Sequence, residues 1–317
     1  MKIDLSLLSK YRTELMGFSA IGILMCHATG NNVAMPSFLW QICSLGQLGV
    51  SIFFLLSGMG MYYSLGKIEW RGVIDWYRTR YIKLFVPYLL LATPYFLWVD
   101  IISSHNIVSF VLHLTTVSFW INGKGVWFVG AIIPLYLIVP LWHRWLKDMK
   151  LSWIPTLIVF LALIYLGQWR HMGEVAFFFV GYWLAKPVSE GRKINLIYWV
   201  VVPILLYFVC KFVPYLDRMP CSLLLVIILI ASLFFDKVGK LLKAPFQFMG
   251  NISLESYIAN VMLPGIFAYV PWVINGVNYN AGNRFLYLCV VVFGIPLACI
   301  VHRISEPIVR QLLKKRI

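Results

Sequence analysis

Few residues in this chain have the means to do chemistry, and His27 stands first among them. It closes the first apolar run, in "MCHATGNN" at residues 25–32. An imidazole with an unperturbed pKa near 6.5 takes and releases a proton close to neutrality. His27 therefore reads either as a general base or as a boundary histidine where a helix leaves lipid. A second group lies in "FMGNISLESYIANVMLP", which places Asn251, Ser253, Glu255, Ser256 and Asn260 in an otherwise apolar stretch. A carboxylate there is costly unless paired or solvated. The segment reads as the lining of a polar cavity, or as a helix cap with Glu255 left among headgroups. A third group, Arg78, Arg80 and Lys83 in "WYRTRYIKLFVPYLL", offers two guanidinium forks and a point charge. Such a set suits phosphates, and equally suits the positive flank of a membrane span. Ser57 sits with Gly49, Ser51, Gly58 and Gly60 on one apolar run, where small residues let helices approach closely.

Other chemistries are excluded by what is missing. The six cysteines form no CxxC pair or ligand cluster, so no metal site is expected. There is no Walker A loop, GxSxG elbow, HExxH or dinucleotide-binding GxGxxG.

The elements that carry these residues must sit in lipid. Of the 317 residues, 61% are hydrophobic and only 12% charged, with mean hydropathy +0.82. A water-soluble domain has about twice that share of charge. Stretches of about 20 apolar residues long enough to span a bilayer fall at roughly 11–28, 46–65, 82–104, 126–142, 152–168, 173–187, 195–211, 219–236, 248–270 and 284–302. The expected fold is thus an all-α integral membrane protein of about ten transmembrane helices, forming a single domain over 1–317. The first apolar segment is expected to be retained rather than cleaved as a signal peptide. Prolines 134 and 140 predict a bent fourth span, and Pro307 a stop to the last helix.

Charge orients this arrangement. Under the ten-span division, Lys124, Arg170, Lys211, Arg218 and Arg284 are the five basic residues of one set of connections, and the other 22 of the chain's 27 fall in the opposite set. Basic residues accumulate on the cytoplasmic side, so both termini are expected there. The net charge of +15 is then a topology signal, with anionic membrane lipids as its natural partners, and no nucleic-acid partner is implied. His27 follows Lys10 by 17 residues, about 25 Å along a helix, which puts it near the outer edge of the hydrocarbon layer. Arg12 lies about 22 Å from it on the same count. A transporter or flippase of a lipid-linked sugar would use the same polar residues to line a path.

In this order and at these spacings, the segments resemble the acyltransferase-3 family, the bacterial multi-spanning membrane O-acyltransferases. "YRTELMGFSAIGILMCH" resembles the family's opening segment, and "GQLGVSIFFLLSGMGMYYSL" its Gly-Val, aromatic, Ser-Gly span. "WYRTRYIKLFVPYLL" resembles its basic patch, "VWFVGAIIPLYLIVPLW" its Trp-Phe helix, "MGNISLESYIANVMLP" its late Ser-Tyr segment and "RISEPIVR" its closing Glu-Pro. Two departures stand out. No arginine occurs about three turns before His27, where most members carry one, although a subset places it at the start, like Arg12. Asn260 stands where many members have a second histidine.

The resemblance implies transfer of an acetyl or other short acyl group from cytoplasmic acyl-CoA to a hydroxyl. The acceptor would be a cell-envelope glycan or lipid-linked saccharide, and the location the bacterial cytoplasmic membrane. It implies His27 as base and Arg78, Arg80 and Lys83 as the CoA-binding set. Ser57, Ser256, Asn260 and Glu255 would be oxyanion donors or cavity lining, and Arg12 the candidate orienter of His27. A homo-oligomer is compatible with this reading.

Overall fold

The structure, a computed structural model, describes residues 2–146, 149–166, 171–201, 204–205, 224–269, 272–274, 277–279 and 283–314. Part of the expected seventh span and the start of the eighth lie outside these residues, as do Lys147, Arg170, Lys211, Arg218, Lys315 and Arg316 of the charge count.

The chain is nearly all helical. In order it forms β1 (Lys2–Asp4), α1 (Leu7–Lys10), α2 (Arg12–Gly30), α3 (Ser37–Ser44), α4 (Leu48–Leu65), α5 (Val73–Phe96), α6 (Ile107–Leu114), α7 (Val117–Asn122), α8 (Trp127–Leu146), α9 (Trp153–Tyr165) and α10 (Met172–Ser189). There follow β2 (Lys193–Asn195), α11 (Leu224–Lys237), α12 (Lys240–Asn251), α13 (Ser253–Tyr269), β3 (Trp272–Ile274), β4 (Val277–Tyr279) and α14 (Arg284–Lys314). Among the described residues, four helical stretches are long and apolar enough to cross a membrane: Ser37–Leu65, Trp70–Ile102, Trp127–Leu146 and Arg284–Lys314.

Several elements differ from the sequence expectation. The chain is not purely α, since β1 pairs antiparallel with β2, and β3 with β4. The connecting stretches 29–45 and 105–125 contain α3, α6 and α7, and helix already begins within 66–81. Hydropathy reports which segments favour lipid; it is silent on short helices at the surface of a span. The segment 248–270 is two helices that break at Ile252. Pro307 does not stop the last helix, which continues through it to Lys314. A proline removes one backbone donor but not the hydrogen bonds of the turns on either side.

Two compact units divide the chain, and neither is a continuous segment. Unit 1 comprises Met1–Ile21, Gln47–Val73 and Ile138–Asn251; unit 2 comprises Gly22–Gly46, Ile74–Leu137 and Ile252–Ile317.

In unit 1, α4 and α10 cross with almost no space between their backbones. A Cβ on Gly58 would overlap the Phe178 carbonyl, and one on Gly181 the Leu55 carbonyl. The first half of α2 meets α12 in the same way, through Gly17 at Phe246 and Gly250 at Thr13. Buried Glu14 accepts from Gln247 Nε2 at 2.9 Å, which offsets the desolvation of its carboxylate.

In unit 2, the second half of α2, α5, α13 and α14 supply the core, with Tyr88, Ala92, Ile258 and Ala298 fully buried. A π-helical turn, Leu97–Ile102, follows α5 and carries buried Asp100, which pairs with His113 Nδ1 at 2.8 Å.

Candidate functional site

His27 occupies the last turn of α2, and the small polar residues after it are what end the helix. The Thr29 hydroxyl donates to the Cys26 carbonyl at 2.7 Å, and both the backbone N–H and side-chain amide of Asn31 donate to the His27 carbonyl, at 3.0 and 2.7 Å. Asn32 then adopts φ +56°, a left-handed conformation asparagine tolerates, and Val33 N–H closes onto the Ala28 carbonyl at 3.0 Å. The last-turn carbonyls are satisfied without a following element.

The partner of His27 comes from α13. Asn260, 2% exposed, places its side-chain amide 2.5 Å from His27 Nδ1. Tyr257, three residues earlier and on the same face of the helix, has its ring centroid 6.4 Å from that of His27. Phe128 packs edge-on against Tyr257. From α14, Tyr287 donates its hydroxyl to the Leu24 carbonyl, one turn before His27. Helices α13 and α14 thus both meet the last turns of α2, α13 at the imidazole and α14 at the Leu24 carbonyl.

The orientation of the Asn260 amide sets the histidine's chemistry. Turned with Nδ2 toward the ring, it donates to Nδ1 and leaves the ring hydrogen on Nε2. Turned by half a rotation, Oδ1 accepts Nδ1–H and the Nε2 lone pair is free to take a proton. The second arrangement is the base-competent one. It also gives the buried Oδ1 a partner, which it otherwise lacks among the described residues. An asparagine fixes the tautomer as an aspartate would, without adding a second charge to the site. Replacing Asn260 by leucine should therefore lower turnover about 10- to 100-fold, less than loss of the base itself. Asn260→Asp should retain most of that activity and shift the pH profile upward, because a carboxylate favours the protonated ring. Steady-state rates across pH check both.

Other sequence-predicted residues fall as follows. Glu255, 5% exposed, points to α14, where His302 Nδ1 lies 3.0 Å from its Oε1. Ser256 is buried on α13. Arg78 donates to the Leu312 carbonyl at 2.5 Å. Arg80 lies over the Trp76 ring at 5.6 Å, while Lys83 is exposed. These residues all belong to unit 2. Ser57 and Arg12 belong to unit 1, where Arg12 donates to the Leu56 carbonyl at 3.4 Å and packs over Gly60. Among the described residues no cluster of His, Cys, Asp or Glu is suited to a metal ion.

Sequence reasoning did not single out Tyr257, Tyr287 or His302. Tyr257 sat within a segment already marked as polar. Nothing local marks Tyr287 or His302, whose partners lie 263 and 47 positions away.

A family model described as an acyltransferase domain, Acyl_transf_3, matches residues 15–303. No curated protein and no solved structure matches the chain. The matched region runs from the first turn of α2 into α14 and includes His27, Asn260, Glu255 and the Arg78–Lys83 segment. Spanning nearly the whole chain, this match places the protein in the acyltransferase-3 family, as a membrane protein of acyltransferase type.

Proposed function

We propose that the protein is a membrane O-acyltransferase. In this reading it moves an acetyl or other short acyl group from cytoplasmic acyl-CoA to a hydroxyl of a cell-surface polysaccharide or related envelope glycan. It would sit in a bacterial inner membrane with about ten spans and both termini inside. The observation that carries the reading is the amide-oriented imidazole of His27 within a chain matched to an acyltransferase family.

The chemistry asks little more of the protein. His27 takes the proton of the acceptor hydroxyl as that oxygen attacks the thioester carbonyl carbon. The tetrahedral intermediate collapses, the C–S bond breaks, and the imidazolium returns the proton to the departing thiolate. Free CoA thiol and an ester result. Within unit 2, Ser256 and Asn260 are the candidate donors for the oxyanion.

Arg78, Arg80 and Lys83 are assigned to the phosphates of the donor. Arg78 already holds the last turn of α14 through Leu312, so its replacement would loosen structure as well as binding. Arg80 and Lys83 make the cleaner test. In inside-out membrane vesicles, Arg80→Ala with Lys83→Ala should raise the KM for acetyl-CoA by about tenfold or more, equivalent to about 1.4 kcal/mol or more of lost binding. Turnover at saturation should change far less. An unchanged KM would remove these residues from donor binding.

A further inference from the structure

We propose that unit 1 contains a discrete site for one anionic phospholipid, its phosphate against Lys150 and Lys186 and its glycerol and upper acyl carbons against Trp153 and Trp183. The site is a cavity of about 520 Å³, within the range of pockets that hold a small ligand. Among the described residues, four basic side chains line it, Lys150, Lys186, Arg192 and Lys193, and no carboxylate does. Apart from Ser152, the remaining described lining is apolar and includes three tryptophans, Trp153, Trp183 and Trp199. Cations beside indole rings form the pattern that meets the phosphate level of a bilayer. A soluble anion would leave the tryptophan wall uncovered, whereas a phospholipid fills both halves.

The walls are built, not draped. Lys186 lies in the last turn of α10. The chain then reverses at Gly191, φ +60°, with Arg192 N–H donating to the Pro187 carbonyl at 3.0 Å and the Arg192 carbonyl accepting from Leu5 N–H at 3.0 Å. Pairing of β1 with β2 sets Lys193 opposite Asp4. Trp199 is fixed by donating Nε1–H to the Leu225 carbonyl at 2.6 Å. Arg192 is engaged by Glu190 at 2.6 Å, and Asp4 faces Lys193. Lys150 and Lys186 have no such carboxylate partner among the described residues, so they carry the anion. An adjoining hollow of about 70 Å³ shares Lys186 and adds Tyr62, His143 and Tyr182, with His143 Nδ1 2.5 Å from the Tyr182 hydroxyl. Those groups provide hydrogen-bonding capacity for a polar headgroup.

The inference rests on the membrane placement and not on acyl transfer, and its test reads bound mass, not turnover. Detergent-purified full-length protein is titrated with phosphatidylglycerol or phosphatidylcholine and observed by native mass spectrometry. Wild type should retain one phosphatidylglycerol at a concentration at least tenfold below that needed for phosphatidylcholine. Lys150→Gln with Lys186→Gln should abolish that preference, and the Lys→Arg pair should keep it. Should the double glutamine variant not be recovered folded, Lys186→Gln alone and the wild-type lipid comparison decide by the same criteria. Equal retention of the two lipids, or an unchanged preference in the glutamine variants, overturns the proposal. Displacement of the lipid by free CoA or inorganic phosphate overturns it too, and reassigns the cavity to a soluble phosphate ester.

Discussion

Replacing His27 by alanine should lower the turnover number for acyl transfer by a factor of about 10² to 10⁴, the range a positioned general base contributes. The loss should appear in kcat, with the KM for the acyl donor little changed, because His27 acts on the acceptor proton and binds no phosphate. The fold should survive. His27 is half-buried in the last turn of α2, and the carbonyls of that turn are held by Thr29, Asn31 and Val33 rather than by the imidazole. His27→Gln separates proton transfer from shape, since its amide can meet Asn260 but cannot accept a proton near neutrality. It should be as inactive as alanine. Rates of the two variants, with thermal unfolding to confirm the fold, check this. A glutamine variant as active as wild type would assign the histidine to packing.

The second large effect concerns assembly. Gly58 and Gly181 are reciprocal partners in unit 1, and the place of each absent Cβ is taken by a backbone carbonyl three residues before the other. Backbone cannot rotate away as a side chain can, so an alanine at either position pushes α4 and α10 apart. Each substitution should cost about 1–3 kcal/mol. In lipid, helices associate through this close packing and gain little from hydrophobicity. Gly181→Leu should therefore yield no folded protein. Gly239→Ala is the control, because a Cβ there meets nothing within 4 Å. Unfolding midpoints in detergent should fall for Gly58→Ala and Gly181→Ala and hold for Gly239→Ala. Equal midpoints would mean the crossing tolerates the extra methyl groups.

Much of the helical framework was legible because lipid imposes apolar length. The runs at 11–28, 46–65 and 173–187 correspond to α2, α4 and α10 within a few residues. The end of α2 was legible because His27 is followed by small polar residues that satisfy its carbonyls. The two short antiparallel ladders and α3, α6 and α7 were not, since short elements carry no strong period and β1 pairs with a strand far along the chain. Pro307 misled because a proline's local penalty is outweighed where the flanking turns of α14 hold.

The site was half legible. His27 and Asn260 were each marked by being polar in apolar runs, but their contact joins positions 233 apart. No local pattern encodes that distance. The same holds for Glu255 and His302. Arg12 was legible as the nearest arginine, and within unit 1 it donates to the Leu56 carbonyl.

The most direct test of the central claim follows one acetyl group. Purified protein in lipid nanodiscs is given acetyl-CoA labelled in the acetyl carbon together with an envelope glycan, and thiol release and ester-linked label are recorded together. Wild type should release one thiol for each labelled ester formed, and His27→Ala should form neither above background. Equal turnover in His27→Ala, or thiol release and labelling absent in wild type, would contradict the account.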